Sequence, residues 1–521
     1  MEFNVDRFNP TSSYLSVVLA LTVLFLVERF FRGRRRSLGN LPPGPKGFPI
    51  IGNILDWPVY QEWFTFIEWG QKYGDIMSVS LLGQHMIVLN SASDAFNLLD
   101  QKGTKYSDRP VMMMGGELVG WSKTLALTRV GERFKEYRKN MHKLMGTRPQ
   151  VVQEYSDLLE LETHKFLQRT LKDPKKLSDH IRKMAASVIL MMTYGYKVQE
   201  SKDPLCETVD LAMIHFSITT TPGSFLVDVF PMLQYIPSWV PGASFKTKAD
   251  SWGKHFKKMG RLPFQYVKDS MRKGTNIPNY VSNLLDTEEL TPEKEDIIQW
   301  SAASIYTGAA DTTVASIYAF YLAMTLYPDI QRKAQEEIDQ VLGSTSTYNG
   351  IDLRLPTNAD RDQLPYVNAV VSEVLRWHSV VPLGVPHATS EDDVYKGYFI
   401  PKGSVVIPNI WKMLHDPDTY HDPMTFKPER FLGENPERDP RDVFFGFGRR
   451  ICPGRFLADS SIFLSCAMSL AVFDIRKVIK GGKEITPVVD YTTGTISHPQ
   501  EFECSIKPRN TKAEALILST H

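Results

Sequence analysis

A long charge-free stretch begins the hydrophobic pattern of this chain. No charged residue occurs over 8–27, and the segment YLSVVLALTVLFLV at 14–27 is almost entirely apolar. As a helix, this stretch is long enough to cross a hydrocarbon core of ~30 Å. The basic cluster ERFFRGRRR at 28–36 follows at once, and arginines favour the cytosolic side of a membrane. A buried core helix and a cleaved signal peptide are the alternatives, but the pattern favours a signal anchor over 1–36.

A stiff, proline-rich segment separates this predicted anchor from the rest of the chain. Four prolines fall within LPPGPKGFPIIGN at 41–53, and each one fixes φ and removes a hydrogen-bond donor. We interpret residues 37–49 as a hinge, either a simple linker or a spacer that orients the body against the membrane. No break in composition divides residues 50–521, which predicts a single large domain.

Two hydrophobic periods divide this body into a few β-rich and several long helical stretches. Residues 75–91 contain two β-rich runs around Gly83, which predicts a hairpin. A second β-like group covers 392–409, where the Pro-Lys-Gly segment 401–403 can form the turn. Helical spacing extends over 131–200, 292–343 and 362–378. The pattern therefore predicts a mainly α protein with a minor β component.

Composition and charge argue against several classes of protein. The 521 residues carry a formal net charge of +1, whereas nucleic-acid binders usually have a basic excess. Only four cysteines occur, and the absence of any CxxC pair argues against a disulfide framework and a zinc site. These cysteines are Cys206, Cys452, Cys466 and Cys504. We therefore predict no nucleic-acid partner, and a main body that lies in a reducing compartment.

An acid and two hydroxyls interrupt the apolar helical stretch at 300–324. The segment GAADTT at 308–313 places Asp311 beside Thr312 and Thr313 among small residues. A buried acid is costly unless it is hydrogen-bonded, and small residues let another group approach the backbone. Two interpretations stay open at this point: a helix-packing notch with a hydrogen-bonded aspartate, and a functional site.

A pair of opposite charges marks the predicted helix near 362–378. Glu373 and Arg376 stand three residues apart and share one helix face, so they can pair and meet a third partner. Arg430, in FKPERF at 426–431, is a candidate for that third member. Such a pair taken alone is usually a solvated one.

The stretch FFGFGRRICPGRF at 444–456 sets a single cysteine, Cys452, among glycines, arginines and aromatics. Glycines on both sides of it allow a tight loop with exposed amides, and Arg449 and Arg450 favour a thiolate. No cysteine or histidine partner is near in the sequence. A lone thiolate on such a loop suits a metal inside a cofactor better than a metal cage built by the protein.

Together these motifs resemble those of the haem-thiolate monooxygenases, the cytochrome P-450 superfamily. FGFGRRICPG matches the pattern F-x-x-G-x-R-x-C-x-G. The order and spacing of that family are also followed by three further motifs: GAADTT, the Glu373-x-x-Arg376 pair and PERF at 428–431. The resemblance covers nearly the whole chain and is greatest to fungal microsomal members. It implies the cytochrome P-450 fold, mainly α with a minor β subdomain, as one large haem domain behind an N-terminal membrane anchor.

The resemblance assigns roles around a haem b group. Cys452 would be the axial thiolate ligand of the haem iron, with Phe445 packed against it. Arg450 and Arg138 would pair with haem propionates, and His387 stands where many relatives have a propionate-binding arginine. The implied haem-binding residues are Cys452, Arg450, Arg138, His387, Phe445 and Gly446.

Catalytic, structural and substrate-binding roles follow from the same resemblance. Thr312 and Asp311 match the pair that relays protons to dioxygen at the haem. Glu373, Arg376 and Arg430 match an internal triad that locks the haem-binding core, which is a structural role. Substrate contacts are implied for Met113, Phe216, Ser304, Thr307, Val381 and Ile496. The largely apolar segments that carry them indicate a lipophilic substrate.

The implied function is that of a membrane-anchored monooxygenase that hydroxylates or otherwise oxidises a lipophilic small molecule. The chain shows no flavin or nicotinamide fingerprint, so electrons are expected from a separate NADPH-dependent diflavin reductase, with cytochrome b5 as a further candidate partner. The basic residues of 131–145 offer a docking face to such an acidic partner. We expect an endoplasmic reticulum membrane location, a cytosolic catalytic domain and a role in fungal secondary metabolism of a terpenoid or aromatic compound.

Two alternative functions keep the haem but change its use. A haem-thiolate isomerase or dehydratase would need no reductase, and a non-catalytic haem-binding carrier or sensor would need no proton relay. The Thr312 and Asp311 pair counts against both alternatives. The basic face also counts against the first.

Overall fold

The computed structural model describes residues 40–221, 223–286, 290–343 and 354–519, and the predicted anchor over 1–36 lies outside them. Within these ranges the fold is mainly helical, as the hydrophobic pattern predicts. The helices of eight or more residues are α1 (Glu62–Tyr73), α2 (Glu132–Met145), α3 (Arg148–Lys172), α4 (Leu177–Tyr194), α5 (Pro204–Thr220), α6 (Ser244–Arg272), α7 (Pro292–Ala310), α8 (Thr312–Leu326), α9 (Pro328–Gly343), α10 (Pro365–Trp377), α11 (Arg455–Val472) and α12 (Thr511–Leu518). Shorter helical segments are Ala92–Ala95, Phe96–Gln101, Gly103–Tyr106, Met113–Val119, Trp121–Lys123, Pro174–Lys176, Leu226–Val229, Pro231–Tyr235, Tyr280–Leu285, Asn358–Gln363, Ile410–Leu414, Pro428–Phe431, Arg441–Phe444 and Gly448–Arg450.

Local sequence sets both ends of α7. Thr291 caps its start, because the hydroxyl oxygen accepts a hydrogen bond from the Lys294 backbone N–H at 3.2 Å. Pro292 occupies the first helical position, where a missing N–H costs nothing. At the other end, the backbone of Asp311 (φ −121°, ψ −35°) leaves helical geometry before α8 begins. The apolar stretch 300–324 therefore forms parts of two helices with a break between them.

Short strands make up the minor β component. The strands are β1 (Ile76–Leu81), β2 (Gln84–Leu89), β3 (His387–Ala388), β4 (Asp393–Tyr395), β5 (Tyr398–Ile400), β6 (Val405–Pro408), β7 (Phe473–Arg476), β8 (Val478–Lys480), β9 (Lys483–Ile485) and β10 (Ser505–Pro508). The largest sheet has the order β1-β2-β6-β3, with β2 and β6 parallel and the other neighbours antiparallel. The hairpin predicted around Gly83 is confirmed, because β1 pairs with β2 and Gly83 (φ +87°) lies in the turn.

The second predicted β group divides between two sheets. β4 and β5 pair with each other around a turn at Lys396 and Gly397. The predicted turn at 401–403 also forms, with the Ser404 N–H donating to the Pro401 carbonyl oxygen at 3.2 Å. It leads from β5 into β6, which pairs with β2 and β3 instead. All four residues of β6 are buried, so this strand belongs to the core sheet while β4 stays at the surface.

Helix α11 lies at the centre of the helical part. It is apolar and long enough to cross a membrane, but 78% of it is buried inside the protein, which identifies it as a core helix. It packs against α3, α8, α9 and α10. The hydroxyls of Tyr321 on α8 and Ser469 on α11 lie 2.8 Å apart, so the two helices also share a buried hydrogen bond.

Glu373 on α10 binds two buried arginines. Arg376 donates to its carboxylate from Nε at 2.7 Å and from Nη2 at 2.8 Å, and Arg430 donates from Nε at 3.2 Å. The three side chains are at most 1% exposed. Arg376 Nη1 also donates to the Leu414 and Pro423 carbonyl oxygens. The cluster therefore ties α10 to two segments that follow β6.

A second buried carboxylate, Asp459 on α11, was not predicted to be a cluster centre. It binds Arg441 Nε at 2.7 Å and Arg361 Nη1 at 2.8 Å, and it also pairs with Arg148 at the start of α3. Burial by itself would raise the pKa of Asp459, but the three guanidinium groups outweigh it and hold that pKa below its usual range. Because the arginines come from separate segments, Asp459 joins them to the central helix.

We predict that Glu373→Ala strongly destabilises the protein, since Arg376 and Arg430 would stay buried without a counter-charge. Removing one partner of a buried pair costs about 3–5 kcal/mol. The measurement is the urea midpoint of unfolding, followed by tryptophan fluorescence. The matched control, Glu336→Ala, removes an exposed partner of Arg332 on α9 and should move the midpoint far less. Equal shifts for the two variants would contradict a stabilising role of the Glu373 cluster.

Candidate active site

A cavity of about 310 Å³ lies between the long helices and the segment that carries Cys452. Side chains from α2, α4, α7, α8 and α11 line it, together with residues of 380–387 and 444–454. Two of the motifs found in the sequence, GAADTT and FFGFGRRICPGRF, border this cavity from different sides. Segments more than a hundred residues apart in the chain therefore meet at one place.

The segment 444–454 forms a tight loop at one wall of the cavity. The Cys452 backbone N–H donates to the Phe445 carbonyl oxygen at 2.8 Å, which closes the loop. Gly446 (φ +76°) and Gly448 (φ +51°) have left-handed backbones, which favour glycine. A Cβ on Gly448 would lie 2.4 Å from the Leu99 carbonyl oxygen, whereas a Cβ on Gly446 would meet only open space. The loop therefore holds Cys452 against the cavity and leaves room in front of it.

Cys452 is the one cysteine among the residues that line the cavity. Burial raises the pKa of its thiol, and the Gly454 backbone N–H and the Arg138 guanidinium partly oppose that rise. The opposing groups are those that stabilise a thiolate sulfur. A metal ion at the sulfur would complete the deprotonation, because coordinated thiols are ionised.

Three guanidinium groups, one buried and two half-buried, border the cavity. They belong to Arg109, Arg138 and Arg450. Burial lowers the pKa of each, that of Arg450 to about 10. In the part of the chain that the structure describes, none of them has a carboxylate within 4.0 Å. Buried cations without counter-ions are costly, so this wall is suited to an anionic ligand.

Backbone carbonyl oxygens hold these guanidinium groups in place. Arg138 Nη1 donates to the Ile451 carbonyl oxygen at 2.6 Å, which joins α2 to the cysteine loop. Arg450 Nε donates to the Ser107 carbonyl oxygen at 2.7 Å, and its guanidinium lies 4.0 Å from the ring centre of Phe134. Arg450 Nη2 also donates to the Thr128 carbonyl oxygen at 2.8 Å.

Arg109 is a member of this wall that sequence reasoning missed. Its Nε donates to the Ala126 carbonyl oxygen at 2.8 Å, and its Nη1 donates to the Val385 and Pro386 carbonyl oxygens at 2.5 and 2.8 Å. In the sequence it follows Asp108, which suggests an ordinary local ion pair. The structure pairs Asp108 with Arg129 instead, at 2.6 Å, and the sequence offers no signal for that exchange.

His387 in β3 lines the cavity as a neutral imidazole. It is fully buried, its Nδ1 lies 2.8 Å from the Tyr106 carbonyl oxygen, and that acceptor requires a proton on Nδ1. Burial, with Arg109 and Arg450 nearby, holds the pKa of His387 well below its usual range. His387 therefore contributes no positive charge to this wall.

Thr312 and Asp311 lie at the break between α7 and α8 and point to different surroundings. Thr312 lines the cavity, and its Oγ1 donates to the Gly308 carbonyl oxygen at 2.7 Å. Asp311 is not among the lining residues. Its carboxylate accepts from Arg182 Nη1 at 2.8 Å and lies 3.1 Å from His498 Nε2.

The six predicted substrate contacts divide into two groups. Ser304 and Val381 line the cavity, whereas Met113, Phe216, Thr307 and Ile496 do not. On α7 the lining residues are Ser304, Ile305, Gly308 and Ala309, which share one helix face. Thr307 lies off that face, and its hydroxyl donates to the Ala303 carbonyl oxygen of its own helix. Phe216 packs instead against the ring of Trp121, 4.8 Å away.

Comparison with known proteins identifies the family. The family model described as Cytochrome P450 matches residues 42–502. Cytochrome P450 monooxygenase 208 of Postia placenta is 52% identical over 97% of both chains. Cytochrome P450 monooxygenase claR of Ampulloclitocybe clavipes is 44% identical over 96% of this chain and 92% of its own. Cytochrome P450 monooxygenase ppsD of Aspergillus oryzae is 42% identical over 96% of this chain and 95% of its own.

The chain belongs to the cytochrome P450 family, and it is an oxidoreductase of the monooxygenase class. Members of this family carry a haem whose iron is bound by a cysteine thiolate. The residues around the cavity fit such a group. Three guanidinium groups without carboxylate partners match the two propionates, one cysteine borders the cavity, and Gly446 leaves open space beside it.

We predict that Cys452→Ala abolishes the red-shifted Soret band of the reduced, carbon monoxide-bound protein, because no other thiol lines the cavity. The measurement is the difference spectrum of the purified protein. Cys504→Ala, which changes a partly buried cysteine away from the cavity, is the control and should keep the band. A red-shifted band in Cys452→Ala would contradict the assignment of the thiolate.

Proposed function

We propose that this protein is a membrane-associated haem-thiolate monooxygenase that oxidises a lipophilic small molecule with dioxygen and electrons from an NADPH-dependent diflavin reductase. One observation carries the proposal: the Cys452 thiol and the Thr312 hydroxyl border the same cavity, beside three guanidinium groups that have no carboxylate within 4.0 Å among the described residues. The fungal relatives favour a setting in secondary metabolism.

In this proposal Cys452 supplies the thiolate ligand, and Arg109, Arg138 and Arg450 neutralise the propionates. When bound, the haem supplies an iron that activates dioxygen for insertion of one oxygen atom into the substrate, and the thiolate favours O–O cleavage. Phe445 and Gly446 shape the wall next to the sulfur. The Glu373 cluster holds α10 and the segments after β6 in place around this centre.

Thr312 and Asp311 are proposed to deliver protons to the cavity. The Thr312 hydroxyl accepts a proton on its oxygen while it donates its own hydrogen, so it can pass a proton without becoming charged. Its hydrogen bond to the Gly308 carbonyl oxygen fixes the oxygen at the cavity wall. Asp311, the next residue back along the chain, supplies the acid that recharges it.

The expected substrate is neutral and lipophilic. Apart from the three guanidinium groups assigned to the propionates, the lining residues carry no formal charge, and aliphatic side chains from α4, α7 and the segment 380–385 predominate. Burial of apolar surface would therefore supply most of the binding free energy. Ser304 offers one hydroxyl, but it already donates to the Trp300 carbonyl oxygen and accepts from the Leu125 N–H.

Some of the basic residues expected to dock the reductase bind groups of the protein itself, and others are exposed to solvent. Arg138 points inward, and Arg133 pairs with Asp296. Lys135 and Lys139 stay exposed beside glutamates of their own helix. We propose that the reductase, or cytochrome b5, docks where this side of α2 meets the cysteine loop, because Arg138 of α2 donates to the Ile451 carbonyl oxygen next to Cys452.

We predict that Thr312→Ala uncouples turnover, so that NADPH consumption continues while product falls and peroxide rises about tenfold or more. The measurement is incorporation of labelled dioxygen, compared with peroxide release, in the reductase-supplied enzyme. Thr325→Ala is the matched control, because this α8 threonine also donates to the carbonyl oxygen four residues earlier but lies away from the cavity. Unchanged coupling in Thr312→Ala would remove Thr312 from the proposed role.

An exposed apolar surface supports membrane association of the domain. Three segments contribute to it: 48–60, 226–239 and 488–489. Its most exposed members are Leu55, Val59, Met232, Tyr235, Trp239 and Val488, each 71–87% exposed. The segments are neighbours, since a Cβ on Gly223 would lie 3.1 Å from Trp57 Nε1, and Gln61 Nε2 donates to Asp490 at 3.0 Å.

This apolar surface begins directly after the proline-rich hinge, so a lipid bilayer is the occupant we propose for it. The hinge would hold the domain with the surface against the bilayer that the anchor spans. An endoplasmic reticulum location and a cytosolic catalytic domain agree with this arrangement.

We predict that a polarity-sensitive dye on Met232→Cys shifts to the blue when the full chain is reconstituted into phosphatidylcholine vesicles, because Met232 enters the headgroup region. The measurement is the emission maximum before and after reconstitution. The same dye on Glu132→Cys, at the exposed start of α2, should keep its emission maximum. Equal behaviour of the two sites would contradict contact between this surface and the membrane.

A further inference from the structure

Asp311 is held from two sides at the break between α7 and α8. Arg182 on α4 donates to its Oδ1 at 2.8 Å, and His498 Nε2 lies 3.1 Å from its Oδ2. Asp311 is only 13% exposed. Each carboxylate oxygen thus has its own basic partner, and these partners come from segments far apart in the chain.

His498 occupies a rigid position between Asp311 and solvent. Its backbone N–H donates to Thr492 Oγ1 at 2.9 Å, and its carbonyl oxygen accepts from the Thr492 N–H at 2.8 Å. Its side chain is 17% exposed, so it is accessible to solvent while its Nε2 lies against the carboxylate. Thr312, next to Asp311, borders the cavity. The order from solvent to cavity is therefore His498, Asp311, Thr312.

We infer that His498 is the positioning residue through which protons from solvent reach Asp311, and that the ion pair between them opens each time a proton passes. The inference rests on the proposed function, in which Asp311 recharges Thr312. It adds the preceding step, which is the supply of a proton from solvent to Asp311. The acid–alcohol pair has no proton source of its own.

The two basic partners of Asp311 differ in what they can do. A guanidinium stays protonated in proteins, so Arg182 can hold the carboxylate but cannot pass a proton to it. An imidazole can both accept and donate a proton, and it has a second ring nitrogen besides the one that faces Asp311. Burial alone would raise the pKa of Asp311, but His498 and Arg182 outweigh it and hold that pKa low. Asp311 is thus ionised at rest and needs a donor.

The other titratable groups around this cluster do not replace His498. On α5, Asp210 lies 4.0 Å from Arg182, and burial raises its pKa with Arg182 opposing the rise. Asp311, Asp179 on α4 and Glu207 add to the rise in the pKa of Asp210. His378, after α10, is fully buried, and burial lowers its pKa to about 3, so it stays neutral.

The proton balance is simple, and no electron moves. In the ion pair both ring nitrogens of His498 carry a proton, and the N–H at Nε2 transfers its proton to Asp311 Oδ2. This leaves a neutral imidazole and a carboxylic acid, so the attraction between the two charges is lost and Arg182 alone still holds Asp311. The acid passes its proton to the Thr312 hydroxyl oxygen, the hydroxyl releases its own hydrogen toward the cavity, and Asp311 returns to a carboxylate. A proton from solvent then restores the cationic ring.

The first test uses the full-length, haem-loaded enzyme with its reductase and compares His498→Gln with wild type from pH 6 to 8. Glutamine keeps a hydrogen-bond donor but cannot titrate. We expect kcat to fall about tenfold with KM nearly unchanged, a larger solvent deuterium isotope effect, and loss of the wild-type decline of kcat as pH rises. His421→Gln, an exposed histidine elsewhere, is the matched control. A wild-type pH profile and kcat in His498→Gln would overturn the inference.

The second test needs no turnover. Thermal midpoints of wild type, His498→Gln, Asp311→Asn and the double variant form a double-mutant cycle, measured on the haem-loaded protein at pH 6 and pH 8. A cationic ring paired with a carboxylate contributes stability that is present at low pH and lost as pH rises. We expect the coupling to be larger at pH 6. Equal coupling at both pH values would show that the pair does not exchange a proton with solvent over this range and would overturn the inference.

Failure of this inference and failure of the proposed function give different results. If Asp311→Asn turns over like wild type, the role of Asp311 is wrong, and the inference falls with it. If Asp311→Asn is slow while His498→Gln behaves like wild type, only the role of His498 is wrong. The carbon monoxide difference spectrum of each variant establishes that the haem site is intact.

Discussion

Positive charge buried around one cavity is the constraint on which the rest of the structure depends. Arginines in two other buried clusters lie against carboxylates, as Arg376 does against Glu373 and Arg441 against Asp459. At the cavity, Arg109 and Arg450 have only backbone carbonyl oxygens as partners, so their burial costs free energy that an anionic ligand would offset. Folding and cofactor binding are therefore coupled, because a ligand that binds only the folded chain stabilises it.

The break between α7 and α8 separates two environments within one pair of residues. Successive residues of a helix point about 100° apart, so Thr312 can face the cavity while Asp311 faces Arg182. The cost of the acid in this apolar stretch is offset by its two basic partners, which is the hydrogen-bonded aspartate that the packing-notch interpretation expects.

Much of the fold could be predicted from local pattern. The hairpin around Gly83 follows from alternating residues and a turn glycine, and the long helices follow from their hydrophobic period. The pairing of the strand after the turn at 401–403 could not be predicted. This strand, β6, is buried and pairs with β2, which is distant in the sequence. The Glu373 cluster was found from spacing and resemblance, whereas the Asp459 cluster joins residues that share no spacing.

The sequence by itself determined the family, the cysteine loop and the order of the motifs, since glycines, Cys452 and short spacings act locally along the chain. Only the tertiary structure decided which charges meet. It paired Asp108 with Arg129 and so released Arg109 to the cavity, and it brought His498 to Asp311. The physical reason is that Coulomb interactions depend on distance through space and on burial, and neither is written in the spacing of residues.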